Sequence, residues 1–182
     1  LHAAANELLA HAGLPAMRSY THGHFMTVAS SASYFSLPNL CAYSMSKTAA
    51  LAFLESLRAE LRAVYKACRV RTSVVTPTKV RTVLAEGLNE GDDDFLMPVL
   101  EPIQVARAMA DTLNSGLSRN ISLPLGSAVL PSLRALPEWY RGALRAMGNT
   151  DALVPPESIS RGQQALRGHQ RSLGPLKKWR GQ

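Results

Sequence analysis

Cysteine is scarce in this chain, aromatic residues are few and long apolar runs are missing. The two cysteines among 182 residues, Cys41 and Cys68, form no CxxC pair and no cluster with the histidines. That excludes a disulfide-stapled scaffold, a thiol redox motif and a zinc site. Both thiols read as small buried side chains of a reducing compartment. No uninterrupted apolar stretch of about 18 residues occurs, so nothing in this sequence is expected to span a membrane by itself. No stretch reads as a signal or transit segment, and there are no internal repeats. A hydrophobic content of 46% is that of a folded domain, which excludes wholesale disorder and collagen-like structure.

Acid is lacking in one place only. Lys and Arg total 20 against 13 Asp and Glu, for a net charge of +7. Residues 1 to 160 are nearly balanced. The excess belongs to Arg161, Arg167, Arg171, Lys177, Lys178 and Arg180, which share the last 22 residues with no acid. The body is therefore electrically ordinary, and no specific nucleic-acid partner is expected.

Hydrophobic periodicity supplies the element order. Residues 2 to 12 are rich in Ala and Leu and read as a helix ending at Gly13 and Pro15. Gly23 to Ala29 is a short apolar run, as in a parallel strand buried on both faces. From about Leu40 to Ala67 the pattern turns helical, with Leu54, Leu57, Leu61 and Val64 at steps of three and four. They are expected in the core or at a helix-paired dimer contact, with Asn39 as N-cap. Arg69 to Thr76 is a β-branched strand stopped by Pro77. Residues 78 to 100, with the acid run Asp92, Asp93 and Asp94, read as a functional loop. A helix over 101 to 115, a strand over 120 to 123 and an apolar segment over 125 to 147 follow. The last is interrupted by Pro131 and Pro137. This alternation predicts an α/β fold with a parallel, helix-covered sheet.

One constellation carries chemistry. Tyr43 and Lys47 are four residues apart at the start of the long helix, so they share a face. An ammonium at that distance favours phenolate over phenol. Ser30 lies thirteen residues before Tyr43, just after the first strand, where the turning chain brings its hydroxyl to the carboxyl edge of the sheet. Such a trio suits hydrogen bonding to a carbonyl or alcohol oxygen and moving its proton. The coincidence is expected by accident only about 0.01 times in a chain of this composition. Other polar motifs are weaker. His22 and His24 form an HxH pattern without a third ligand nearby, so no metal is expected, and the sequon Asn120-Ile121-Ser122 falls in a strand.

These residues resemble the short-chain dehydrogenase/reductase family. GHFMTVASSASYFSLPNLCAYSMSK is similar to that family's strand, catalytic serine and YxxxK helix, and SVVTPTKVRT to its next strand and PGxVxT segment. ALAFLESLRAELR is similar to the branch of retinol dehydrogenases and lipid-droplet 17β-hydroxysteroid dehydrogenases. The resemblance implies a partial doubly wound, Rossmann-like parallel sheet lacking the N-terminal βαβ units. It implies catalytic Ser30, Tyr43 and Lys47, with Tyr43, Lys47, Pro77, Val80 and Thr82 contacting the nicotinamide half of NADP or NAD. Tyr43 would be the general acid/base, Lys47 its activator and ribose ligand, and Ser30 the partner of the substrate oxygen.

The implied reaction is hydride transfer between NAD(P) and a small lipophilic alcohol or ketone, such as a retinoid, steroid or long-chain compound. A homodimer through the Tyr43/Lys47 helix, and an intracellular place in the cytoplasm or peripherally on endoplasmic reticulum or lipid droplets, accompany it. The departures are the absent glycine-rich TGxxxGxG turn, which cradles pyrophosphate in the family, His2 at the family's asparagine position, and Thr78 for the glycine of PGxVxT. The chain thus reads as the carboxyl-terminal portion of a dehydrogenase, with weak NAD(P)H binding on its own. The alternative is a noncatalytic remnant serving as a dimerisation or membrane-docking module. Residues 1 to 148 are expected to form the dehydrogenase part, with 125 to 148 an amphipathic lid or a membrane-surface helix, and 149 to 182 a basic disordered tail; membrane or lipid-droplet contact would run through 125 to 182.

Overall fold

A computed structural model describes residues 10, 11, 13 to 15, 17, 22 to 82, 85 and 98 to 147. His2, most of the predicted first helix, the acid run Asp92 to Asp94 and the tail from residue 148 lie outside these residues. The order is β1 (Gly23–Val28), a 3-10 turn (Ser31–Ser33), α1 (Cys41–Ala63), β2 (Val70–Pro77), α2 (Pro102–Ser115), β3 (Asn120–Leu123), a second 3-10 turn (Leu125–Val129), α3 (Leu130–Leu133) and α4 (Glu138–Met147). The strands form one parallel sheet in the order β1-β2-β3. β1 is an edge strand of that sheet.

α1 covers the sheet because its apolar residues recur on one face. Leu51, Leu54, Leu57 and Leu61 are buried against Phe25, Ala29, Val70 and Val74, with Ala10 in the same cluster. Each buried leucine contributes about 1.5–3 kcal/mol relative to exposure. Phe53 meets the Phe25 ring edge-to-face at 6.3 Å. The segment before β1 approaches closely: a Cβ at Gly23 would lie 2.5 Å from Cγ of Met17, so any larger residue there would have to displace the Met17 side chain.

The central strand β2 is buried at every position but Arg71, and its hydroxyls are satisfied. Arg58 of α1 donates to Thr72 Oγ1 (2.9 Å), to the Thr72 carbonyl (3.1 Å) and to Asn120 Oδ1 (2.9 Å). One guanidinium thus ties the helix to two strands, and the sequon asparagine serves as its acceptor.

Four expectations are corrected. Cys41 and Cys68 are exposed rather than buried, because one opens α1 and the other lies in the turn before β2. Val64 is 67% exposed. α1 ends at Ala63, where the Tyr65 and Ala67 amides turn back to the carbonyls of Glu60 and Leu61, so the apolar period outlasts the helix. Asn39 adopts φ 63°, and Leu40 occupies the N-cap position without a side-chain hydrogen bond. By contrast α2 starts on a capping box formed by Glu101 and Gln104 and ends at Gly116 with φ 62°, a left-handed C-cap that suits glycine.

The amino end of the sheet carries a pH dependence. His24 Nε2 lies 2.8 Å from Ser73 Oγ, and its Nδ1 is buried with no partner among the described residues. Burial first, then the Arg71 charge, pushes the imidazolium below its ordinary value of 6.5. The unfolded chain therefore takes up this proton first. Stability contributed by neutral His24 is present above about pH 6.5 and falls as the solution is acidified through that value. Urea midpoints measured at about pH 8 and about pH 5.5 should drop with acid, and the drop should be smaller in His24→Gln. An equal drop in both would contradict this source.

Candidate functional site

The site stands at the carboxyl ends of β1 and β2, where open α/β sheets bind ligands. After Val28 the chain keeps one more ladder bond, from the Ala29 amide to the Val75 carbonyl (2.9 Å), and then turns. Ser30 makes the turn. In extended conformation it caps the first 3-10 helix, its Oγ accepting from the Ala32 amide at 3.2 Å. The same Oγ donates to the Pro77 carbonyl at 3.5 Å, linking the ends of two strands.

Lys47 is 9% exposed, unusually buried for lysine. Its Nζ donates to the Val28 carbonyl at 3.1 Å and lies 5.8 Å from the centre of the Tyr43 ring. Burial pushes its ammonium below the ordinary lysine value. Tyr43 is half-buried in the first turn of the 23-residue α1, at the positive end of the helix dipole, which favours negative charge nearby. Among the described residues nothing hydrogen-bonds its hydroxyl.

Contacts thus gather Ser30, Tyr43, Lys47 and Pro77 at one sheet edge. Val80 lies beyond them in a parallel bridge with Leu100. Thr82 is exposed, its hydroxyl on the Val80 carbonyl at 3.4 Å. The same strap carries an exposed Arg81–Glu101 ion pair at 2.8 Å, and Glu101 also caps α2. Thr78, at the family's glycine position, has a buried Oγ1 with no partner among the described residues. It leaves a hydroxyl beside Pro77 for a polar group. The residues present therefore fit the nicotinamide end of a dinucleotide, while the glycine-rich phosphate cradle is absent from the 182-residue sequence. Among the described residues no three His, Cys, Asp or Glu side chains converge as a metal site.

Two neighbours of the site give no local signal in sequence. Tyr34 packs on the core cluster. Burial and Glu55 push its phenol up, with Arg134 opposing. Phe35 lies under the Arg145 guanidinium, 5.6 Å from ring centre to Cζ. Both arginines come from the C-terminal segment, about a hundred residues later, so no short-range pattern announces them.

A strand, a serine turn and a Tyr–Lys helix thus stand together at the carboxyl end of a parallel sheet. The model for short chain dehydrogenase matches residues 5–93, and the chain belongs to that family. It is 38% identical over 134 residues to human estradiol 17-beta-dehydrogenase 11, covering 72% of this chain and 42% of the relative. It is 38% identical over 98 residues to human 17-beta-hydroxysteroid dehydrogenase 13, covering 54% and 31%. A short chain dehydrogenase from Burkholderia cenocepacia J2315, solved in complex with NADP, superposes with TM-score 0.58 at 26% identity, over 81% of this chain and 54% of that one. A short-chain dehydrogenase from Streptomyces avermitilis shares the fold with TM-score 0.56 at 20% identity, over 90% and 61%. The chain spans less than half the length of these curated relatives.

Proposed function

We propose that this chain supplies the catalytic edge of a nicotinamide-dependent oxidoreductase acting on a lipophilic alcohol or ketone, with a steroid, retinoid or long-chain compound as substrate. The observation that carries the reading is Lys47, a buried cation set between the Val28 carbonyl and the Tyr43 ring where a solvated surface lysine would have no reason to sit. When bound, NADP or NAD supplies or receives the hydride. Tyr43 gives the proton to a carbonyl oxygen or takes it from an alcohol. Lys47 stabilises the phenolate and would hold the ribose hydroxyls. Ser30 donates to the substrate oxygen, exchanging its long bond to Pro77 for the new acceptor. Pro77, Val80 and Thr82 would border the nicotinamide.

The lipophilic substrate class is supported by the names of the steroid-dehydrogenase relatives. Peripheral contact with a lipid droplet or endoplasmic reticulum surface through residues 125 to 182 belongs to the same reading, as does a homodimer through α1. Leu125, Val129, Trp139 and Met147 are 85%, 58%, 74% and 84% exposed, apolar side chains of the kind that meet a lipid interface. No described helix is long and apolar enough to cross a membrane.

The test is turnover by the native protein with NADP or NAD against steroid, retinoid, long-chain and short-chain alcohols, followed by nicotinamide absorbance. Lipophilic alcohols should react well ahead of short ones. A folded protein that turns over none of them would favour the noncatalytic remnant.

A further inference from the structure

α4 has no buried residue, so burial of an apolar face does not hold it in place. Among the described residues, Arg145 ties it to the serine turn. The Arg145 guanidinium covers the Phe35 ring, donates to the Ser36 carbonyl at 3.4 Å and pairs with Glu138 seven residues earlier on the same helix. Glu138 uses its other oxygen for Arg141, so the carboxylate aims the guanidinium from behind. A planar, forked cation can stack on a ring, reach a carbonyl and hold a carboxylate together; an ammonium cannot. Phe35 is bound in turn to the segment opened by Ser30, its amide donating to the Ser31 carbonyl at 3.1 Å.

We propose that Arg145 is a positioning residue that latches α4 onto the turn carrying Ser30, so that release of this helix governs entry of the lipophilic substrate to the Ser30–Tyr43 edge. The catalytic part rests on the function proposed above; the latch itself does not. A helix fixed by an exposed polar contact and little buried area lies at the low end of local stability and opens without global unfolding. Losing a cation–ring contact and a charged hydrogen bond should shift that opening by about tenfold.

Hydrogen exchange on the native protein reads the latch directly. In Arg145→Ala, amides of 138 to 147 and of 31 to 36 should exchange about tenfold faster together, while those of β2 stay unchanged. Arg145→Lys, which keeps the charge and loses the fork, should fall between this variant and the parent. Faster exchange in α4 alone, or in neither segment, overturns the proposal. Kinetics give the second arm: KM for a lipophilic ketone should change several-fold in Arg145→Ala at nearly constant kcat and unchanged cofactor affinity. Coupled exchange with an unaltered KM overturns the gating role. A parent protein without turnover would sink the oxidoreductase reading instead, with the exchange result still deciding the latch.

Discussion

Tyr43→Phe is expected to lower turnover by about a thousandfold, within the range of about 10²–10⁴ assigned to a positioned general acid or base, while leaving nicotinamide affinity nearly intact. The substitution removes one oxygen. Tyr43 is half-buried and its hydroxyl has no hydrogen-bond partner among the described residues, so no structural bond is lost and the ring still lies beside Lys47. Stability should therefore move by no more than about 0.5 kcal/mol, as for substitutions that break no buried contact. Steady-state rates and a cofactor fluorescence titration on the same protein separate the effects. Unchanged turnover would refute the role given to Tyr43. Loss of cofactor binding with turnover would assign the residue to binding instead.

Leu54→Ala should cost about 3–4 kcal/mol of stability. Leu54 is 1% exposed and lies in the cluster that joins α1 to β1 and β2. Truncating it removes favourable transfer of its side chain and leaves a cavity that the flanking leucines cannot close without leaving their own contacts. Val64→Ala is the matched control. Val64 continues the same spacing, yet it is 67% exposed, and its truncation should be nearly neutral. Urea denaturation of the two variants measures both. Similar losses at both positions would mean that the helix does not end where Glu60 and Leu61 receive the turn amides.

The pair of positions shows why some of the fold is legible and some is not. Leucine spacing sets which face of α1 is apolar, because helical periodicity is a local property. Where α1 stops depends on the turn into β2, and the sequence pattern runs through it unbroken. The cysteines illustrate the same limit. Their general preference for burial gave the expectation, and their places at a helix start and in a turn set the outcome. Asn39 has an N-capping side chain by type, but its backbone was taken up by a left-handed turn.

The site divides in the same way. The placement of Ser30, Tyr43 and Lys47 near the ends of β1 and β2 was legible because it follows from fixed spacing along a turn and a helix. The strand pattern and the alternating element order likewise determined a parallel α/β sheet, since hydrophobic period and crossover length are written along the chain. Only the tertiary structure put the Pro77 carbonyl on Ser30, seated Lys47 against Val28, and brought Arg134 and Arg145 to Tyr34 and Phe35. Those contacts join residues up to 110 positions apart, and their existence depends on how elements pack in space, which no local period encodes.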